Sequence, residues 1–168
     1  SDKSDEGILL REGTAASIHN AIVVGFNDAC LNVDHEVTFN NIAEGTLNIT
    51  NSMVACAKNF KTDSEYDKID EGSKCEDGSE PVAKEKDGAT EYRCYKADPS
   101  NIEEFFTGGD GNVAGTEEDI NNVLGAAFDE AGPDFTLADR SPAAGVTAAT
   151  LPNDGFFEQV DYIGAVGA

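Results

Sequence analysis

The feature that most constrains this chain is a short pattern that occurs twice between Gly13 and Phe60. The first copy is 18–23 (IHNAIV) and the second is 49–54 (ITNSMV), and each reads apolar, polar, Asn, small, apolar, Val. A Gly-Thr pair precedes each copy, at 13–14 and at 45–46. Recurrence over a few tens of residues is typical of stacked supersecondary units. We therefore interpret each copy as a β-strand in one coil of a parallel stack.

Each copy carries an asparagine in an unusual place. At period two, Asn20 shares a face with Ile18 and Ile22, and Asn51 has the same position in the second copy. Asparagines stacked in adjacent coils can hydrogen-bond through their amides, so we predict a structural ladder of Asn20 and Asn51. The alternative is that both asparagines lie at strand ends and form turns.

The charge of the chain excludes several classes of partner. Its 168 residues, the length of one domain, include 33 acidic and 11 basic residues, which gives a net charge of −22. Nucleic-acid binding needs a basic patch, and anionic membranes repel such a chain. The acidity favours solubility, divalent cations or a salty exterior. No apolar run has the length of a transmembrane helix, so we predict neither nucleic-acid binding nor membrane insertion.

The cysteines indicate an oxidising compartment. Cys30, Cys56, Cys75 and Cys94 form no CxxC pair, and the chain has only two histidines, so a zinc site is not expected. An even number of cysteines in an acidic, loop-rich chain predicts disulfides. Of the three pairings, we favour Cys75–Cys94, which closes one polar excursion, and Cys30–Cys56, which ties neighbouring coils. The alternative is four free thiols in a cytosolic protein.

The chain divides into three stretches by composition. Residues 1–58 alternate short strands with short turns, and they include predicted strands at 8–10, 29–33 and 37–39. Residues 59–101 are polar and rich in lysine and acid, so we interpret them as an insertion stapled by its own disulfide, with disorder as the alternative.

The last stretch, 102–168, combines helical and strand patterns. One turn of helix is predicted at 101–106, and a second helix at 116–127 begins with Thr116 as N-cap. Strands are predicted at 135–137 and 162–166.

The tail carries a resemblance to a known family. Its pattern F-x-L-x-x-x-S-P-A, followed by an acidic residue and I-G-A, is formed by Phe135, Leu137, Ser141, Pro142, Ala143, Asp161, Ile163, Gly164 and Ala165. In this pattern the tail resembles the final coils of bacterial right-handed parallel β-helix proteins of the pectate-lyase-like superfamily, many of which end in such a phrase. With the strand pattern, the resemblance implies an all-β fold: a right-handed parallel β-helix segment with a long disulfide-stapled insertion and one or two short helices.

A β-helix has open ends, and this leads to expectations about capping and partners. An uncovered end exposes unpaired backbone groups. We expect the helix at 116–127 or the insertion to cover one end. At the other end, further coils or a second copy of the chain would stack, so self-association is an expected interaction.

Acidic turns suggest calcium as a cofactor. Asp110-Gly111-Asn112 follows two glycines, which let carboxylate and amide oxygens converge on a cation. Together with Asp129 and Asp134, Asp110 and Asn112 form the predicted Ca²⁺ ligands, and the alternative for Asp110 is an ordinary Asp-Gly turn.

No catalytic residue is predicted. Lyases of the family use acidic residues to bind Ca²⁺ and a basic residue to abstract a proton, and no arginine here lies in a recognisable acidic cluster. His19 and His35 are expected to be solvated. The expected function is therefore that of a secreted or cell-surface structural and adhesive module, stabilised by calcium, with extracellular glycans as partners. The alternatives are the C-terminal part of a polysaccharide lyase or glycoside hydrolase, and a small β-sandwich with carbohydrate-binding loops.

Overall fold

The computed structural model describes residues 5–62, 66–76, 78–95 and 101–165, and these are mostly short strands with two short α-helices. The strands are β1 Glu6–Leu10, β2 Ser17–His19, β3 Ile22–Val24, β4 Ala29–Val33, β5 Asn48–Thr50, β6 Met53–Ala55, β7 Phe60–Lys61, β8 Tyr66–Ile69, β9 Val82–Lys86, β10 Ala89–Tyr95, β11 Val113–Ala114, β12 Leu124–Ala126 and β13 Asp134–Leu137. The helices are α1 Glu36–Ala43 and α2 Asn101–Gly108. The predicted all-β class is confirmed. No helix within the described residues is long and apolar enough to cross a membrane.

Three small parallel sheets organise the first part of the chain and β11. Their strand orders are β1-β4-β7, β2-β5 and β3-β6-β11. The two copies of the sequence pattern lie side by side, with Ile18 opposite Ile49 and Ile22 opposite Met53. The strand residues of the first copy are therefore paired with the equivalent residues of the second copy, so the sequence offset between the copies sets the register of the parallel strands. These strands are therefore not antiparallel, the arrangement that would have favoured the β-sandwich alternative.

The prediction of one continuous strand for each copy of the pattern is wrong, because each copy is divided into two strands by a bend. Asn20 separates β2 from β3 and has φ 60°, and Asn51 separates β5 from β6 with φ 50°. A left-handed residue bends the chain, so period-two alternation does not continue across it. Ile18 consequently packs against the core inside the sheets, whereas Ile22 packs in a second apolar cluster.

The interior core lies between the three parallel sheets. All five residues of β4 are buried, and the adjoining sheets add side chains such as Ile49 and Val54. Its buried members are Leu10, Val23, Cys30, Leu31, Val33, Leu47, Ile49, Val54, Cys56, Ile102 and Phe106. Ile102 and Phe106 come from α2, which contacts β7 and β11 at the end opposite β1, β2 and β3. The interior core is thus covered at that end by 101–108, and not by the segment at 116–127.

A second apolar group, the outer cluster, covers the other face of β3-β6-β11. Met53 and Ala55 point into it, while Val54 between them points into the interior core. The remaining buried members, Val123, Ala143 and Ile163, come from the C-terminal part of the chain. The sheet is therefore apolar on both faces, as is typical of parallel sheets that are covered on both sides.

The predicted strand at 37–39 is also wrong, because this segment begins α1. Val37 and Thr38 are β-branched and favour strands, but the tertiary contacts of the helix outweigh this preference. The buried hydroxyl of Thr38 accepts a hydrogen bond from the amide of Gly13. The Asn41 side chain donates to the carbonyls of Gly13 and Thr14.

The C-terminal part differs from the predicted parallel coils. Thr116 is the N-cap, as the sequence predicted, and it forms a capping box with Asp119, but the helix is a short 3₁₀ turn, Glu117–Asp119. The chain then extends into β12 because Val123 is buried in the outer cluster. The predicted strand at 135–137 is confirmed as part of β13, but it pairs antiparallel with β12. Residues 162–165 form no strand, and Val166 lies outside the described residues.

The strands β8, β9 and β10 form a separate three-stranded antiparallel sheet, which we call the arm together with the described residues that connect them. Its strand order is β8-β10-β9, and every residue of β9 is exposed. The arm falls within the predicted insertion at 59–101, whereas β7 at the start of that range pairs in parallel with β4.

Candidate functional site

Both predicted disulfides are present. Cys30 and Cys56 have Cα atoms 5.7 Å apart, and their bond joins β4 to the residue that follows β6 inside the interior core. Cys75 and Cys94 have Cα atoms 5.5 Å apart and close the arm. The first disulfide thus links the sheet β1-β4-β7 to the end of β6 in the sheet β3-β6-β11, and does not join neighbouring coils as predicted, while the second closes the insertion.

The two ladder asparagines are brought to equivalent bends, where each side chain bonds the C-terminal segment. The amide of Asn51 donates to the carbonyl of Thr147 at 2.7 Å. The Oδ1 atom of Asn20 accepts from the backbone amide of Ala149 at 2.7 Å, and the carbonyl of Asn20 accepts from the amide of Gly164. This arrangement matches the alternative in which both asparagines lie at strand ends and form turns. The left-handed bend at each asparagine directs its side chain toward the C-terminal segment.

The predicted calcium ligands fall in two different turns. Asp110 and Asn112 lie between α2 and β11, where the side chain of Asn112 is fully engaged. Its amide donates to the carbonyls of Ile49 and Phe106, and its Oδ1 atom accepts from the amide of Ser52, all within 2.9 Å. Asn112 therefore connects α2 to the parallel sheets.

Asp129 and Asp134 belong to the β12–β13 hairpin. Oδ1 of Asp129 accepts from the amide of Ala131, and Oδ1 of Asp134 accepts from the amide and hydroxyl of Thr136. These bonds from Thr136, the backbone amide above all, lower the pKa of the Asp134 carboxyl. Among the described residues, no group of three or more His, Cys, Asp or Glu side chains is placed to hold a metal ion, and calcium stays a prediction.

Both histidines make hydrogen bonds to neighbouring segments. Nδ1 of His19 lies 2.7 Å from the hydroxyl of Thr50 in the adjacent strand. Nδ1 of His35 accepts from the amide of Glu12 at 3.1 Å. Each ring therefore fixes a contact between two segments that lie side by side.

Sequence reasoning missed an ionic cluster on the sheet β1-β4-β7. Lys61 contacts the carboxylates of Glu6 at 3.1 Å and Asp28 at 2.6 Å, and the amide of Asn32 donates to the same oxygen of Glu6. Lys61 and Glu6 are each less than one fifth exposed, so the pair is screened less than a surface ion pair. Nothing in the sequence marks the cluster, because its members are far apart in the chain and only the parallel register joins them.

The arm carries a second charged group on one face. The Glu91 carboxylate binds the ammonium of Lys68 and the Nε atom of Arg93, whose guanidinium lies 4.2 Å from the centre of the Tyr66 ring. The hydrogen bond from Lys68 lowers the pKa of Glu91 to about 2, with a further contribution from Arg93. At the neighbouring strand position, a hydrogen bond to Glu71 raises the pKa of Tyr92.

A neutral groove lies between the β3–β4 turn and the β12–β13 hairpin. We call it the Phe128 groove, and it encloses about 300 Å³. Its lining residues are Gly25, Phe26, Asn27, Ala57, Ile120, Asn121 and Phe128. The ring of Phe128 lies directly against Gly25, where any side chain would collide with it, and Gly25 has φ 72°. Glycine is thus needed at residue 25 for two reasons: it adopts the left-handed backbone conformation readily, and it leaves space for the Phe128 ring.

Comparison of the chain with protein-family models, with curated proteins and with solved structures found no match to any of them.

Proposed function

We propose that this chain is a segment of a right-handed parallel β-helix and acts as a structural and adhesive module of a secreted or cell-surface protein. The observation that carries the proposal is the recurrence of strands in one order. β1, β2 and β3 are followed by β4, β5 and β6, and each strand pairs in parallel with its counterpart. Parallel strands of one sheet joined by a crossover are right-handed in about 98% of cases, which supports the handedness.

The extracellular location is supported by the disulfides and the charge. Two disulfides in a chain of this length are typical of an oxidising environment. A net charge of −22 is suited to solubility outside the cell.

Intact mass after export tests the location. The protein is expressed with and without an export signal, and its mass is measured under non-reducing conditions. The exported protein should weigh about 4 Da less than the all-thiol chain, because each disulfide removes two hydrogens. An exported protein that is folded but has the mass of the all-thiol chain would contradict the proposal.

Self-association through the edge formed by β1, β2 and β3 follows from the sheet orders. Within the described residues, each of these strands lies at the edge of its sheet, while α2 covers the opposite end of the interior core. An edge strand presents unpaired amide and carbonyl groups to another chain. We therefore propose that a second copy pairs with this edge.

Light scattering of the purified protein, with and without the substitution Leu9→Lys, tests this association. Leu9 is 40% exposed on β1, and an edge lysine opposes pairing. Val82→Lys is the matched control, since Val82 is 41% exposed on β9, an edge strand of the arm. Oligomers that persist in Leu9→Lys, or that Val82→Lys also removes, would contradict pairing at β1.

Calcium stabilisation is a further part of the proposal. It is supported by the acidity of the chain and by the turn positions of Asp110, Asp129 and Asp134. Binding to the folded state alone raises the melting temperature as free Ca²⁺ rises. The melt is compared in EDTA, in Ca²⁺ and in the same concentration of Mg²⁺, and equal melting temperatures in EDTA and Ca²⁺ would refute it.

One observation favours the alternative, the C-terminal part of an extracellular polysaccharide lyase or glycoside hydrolase. Glu6 and Asp28 approach one another through the shared ammonium of Lys61 on a parallel sheet. Paired carboxylates serve as acid and base or nucleophile in glycoside hydrolysis. Incubation with neutral and acidic polysaccharides, followed by assay of new reducing ends, tests this alternative. Activity that is lost in Glu6→Gln would favour the enzyme over the adhesive module.

A further inference from the structure

The Phe128 groove combines a well-supported aromatic ring with exposure to solvent. Phe128 is 54% exposed, although a phenyl ring is favourably buried. The tip of the ring lies against the backbone of Gly25, so the ring has a fixed support and needs little ordering when a ligand packs on it. Phe26 adds a second, partly buried ring to the lining.

The polar groups of the groove are amides. Asn27 and Asn121 belong to the lining, and the side chain of Asn121 is exposed and makes no hydrogen bond among the described residues. An amide both donates and accepts, so Asn121 can bind a hydroxyl group in either role. A phenyl ring beside such an amide presents one apolar face and one adaptable polar group to the same ligand.

The groove is uncharged in a strongly charged chain. Charged residues make up 26% of the sequence, yet none of the seven lining residues carries a charge. An anionic ligand would find no lysine or arginine there and would meet the repulsion of the net charge of −22. A cationic ligand would find no carboxylate in the lining, since Asp129 lines only the adjoining depression. The lining therefore favours a neutral ligand.

We propose that the Phe128 groove binds a neutral saccharide. A pyranose ring has an apolar C–H face for Phe128 and hydroxyl groups at its rim for the amide of Asn121. The volume of about 300 Å³ lies at the small end of the range for ligand pockets, which fits one or two sugar rings. The inference rests on the proposed adhesive function and gives it a site and a ligand class.

Nuclear magnetic resonance titration tests the site directly. The probes are cellotetraose, laminaritetraose, mannotetraose and xylotetraose, with polygalacturonate as the anionic and tetramethylammonium as the cationic comparison. We expect at least one neutral probe to shift the Phe128 ring and Asn121 side-chain signals. Phe128→Ala should weaken that binding about tenfold, and Phe128→Tyr, which keeps the ring, should retain it.

Phe156→Ala is the matched control, because Phe156 is 84% exposed and lies outside the groove. It should leave the affinity unchanged, and unchanged melting temperatures will show that all variants are folded. Three results would overturn the proposal: equal affinity in Phe128→Ala, binding of only the anionic or cationic probe, or no binding of any probe. The mass measurement after export is independent, so failure of the saccharide site is distinguishable from failure of the extracellular module.

Discussion

Asn20 and Asn51 lie at equivalent left-handed bends in the two copies of the sequence pattern, and both hold the same segment of the C-terminal chain. Oδ1 of Asn20 accepts from the amide of Ala149, and the amide of Asn51 donates to the carbonyl of Thr147. Because the strands that flank one bend pair in parallel with the strands that flank the other, the two bends lie side by side and the segment crosses from one copy of the pattern to the next. The asparagines thus couple the parallel sheets to the chain that covers them.

Substitution of Asn51 should separate its two roles. Asn51→Gly removes the hydrogen bond to Thr147 but tolerates φ 50°, whereas Asn51→Ala also adds the cost of a left-handed conformation. We expect both variants to lower the free energy of unfolding, with alanine costing about 1 kcal/mol more than glycine. Urea denaturation measures the difference. An alanine variant as stable as the glycine variant would mean that the bend relaxes without Asn51.

The two disulfides should contribute to different transitions. Cys30–Cys56 spans 26 residues in the interior core, so Cys30→Ala/Cys56→Ala should lower the free energy of global unfolding by roughly 3 to 4 kcal/mol. Cys75→Ala/Cys94→Ala is the matched control, since it opens a similar loop of 19 residues in the arm. We expect it to leave the global transition in place and to increase hydrogen exchange in the arm alone. Equal losses of global stability would show that the arm and the parallel sheets unfold as one unit.

Phe106 should be the most important residue of α2 for stability. It is 1% exposed, and its ring centre lies 5.6 Å from that of Phe60. Phe106→Ala should destabilise the protein by about 3–5 kcal/mol, because it opens a cavity at the covered end of the interior core. Phe105→Ala on the same helix, where the side chain is only partly buried, should cost less. Thermal denaturation of the two variants checks the order, and the reverse order would disprove this role of Phe106.

The arm should be sensitive to acid through Glu91. Its pKa is lowered from 4.5 to about 2, so its contribution to stability is complete above pH 4.5 and is lost as the pH falls toward 2. Nuclear magnetic resonance of the arm between these pH values should therefore show loosening that Glu91→Gln removes. Glu80→Gln is the control, because the Lys74–Glu80 pair is more than three fifths exposed on both sides. Acid loosening that persists unchanged in Glu91→Gln would assign it to other carboxyl groups.

Local sequence patterns predicted much of the parallel architecture. The repeat places Ile18 and Ile49 at equivalent positions, and these two residues are paired in the structure. Two strands with the same alternation bury equivalent side chains only when they pair in this register. The pairing of Cys30 with Cys56 was favoured on the expectation that it ties neighbouring coils, whereas in the structure the bond links β4 to the end of β6, two strands of different sheets. For the predicted calcium ligands, the pattern located turns, but convergence on an ion depends on distances that turns alone do not fix.

Other features were decided by partners remote in the chain. Thr38 and Asn41 hold α1 through the turn at Gly13, although the β-branched residues there favour a strand. Phe128 meets Gly25 only after the C-terminal hairpin packs on the parallel sheets.

The sequence by itself determined the all-β class and the parallel register of the two pattern copies, because both depend on local periodicity and on repeated spacing, and it favoured the cysteine pairing that the structure contains. Only the tertiary structure decided which face each apolar residue occupies, which helix covers the interior core and how the Phe128 groove is assembled. A single left-handed residue, Asn20, reverses the faces of the side chains that follow it, so Ile22 lies in the outer cluster and not beside Ile18. That bend is held by contacts with Ala149 and Gly164, far along the chain, which no local pattern contains.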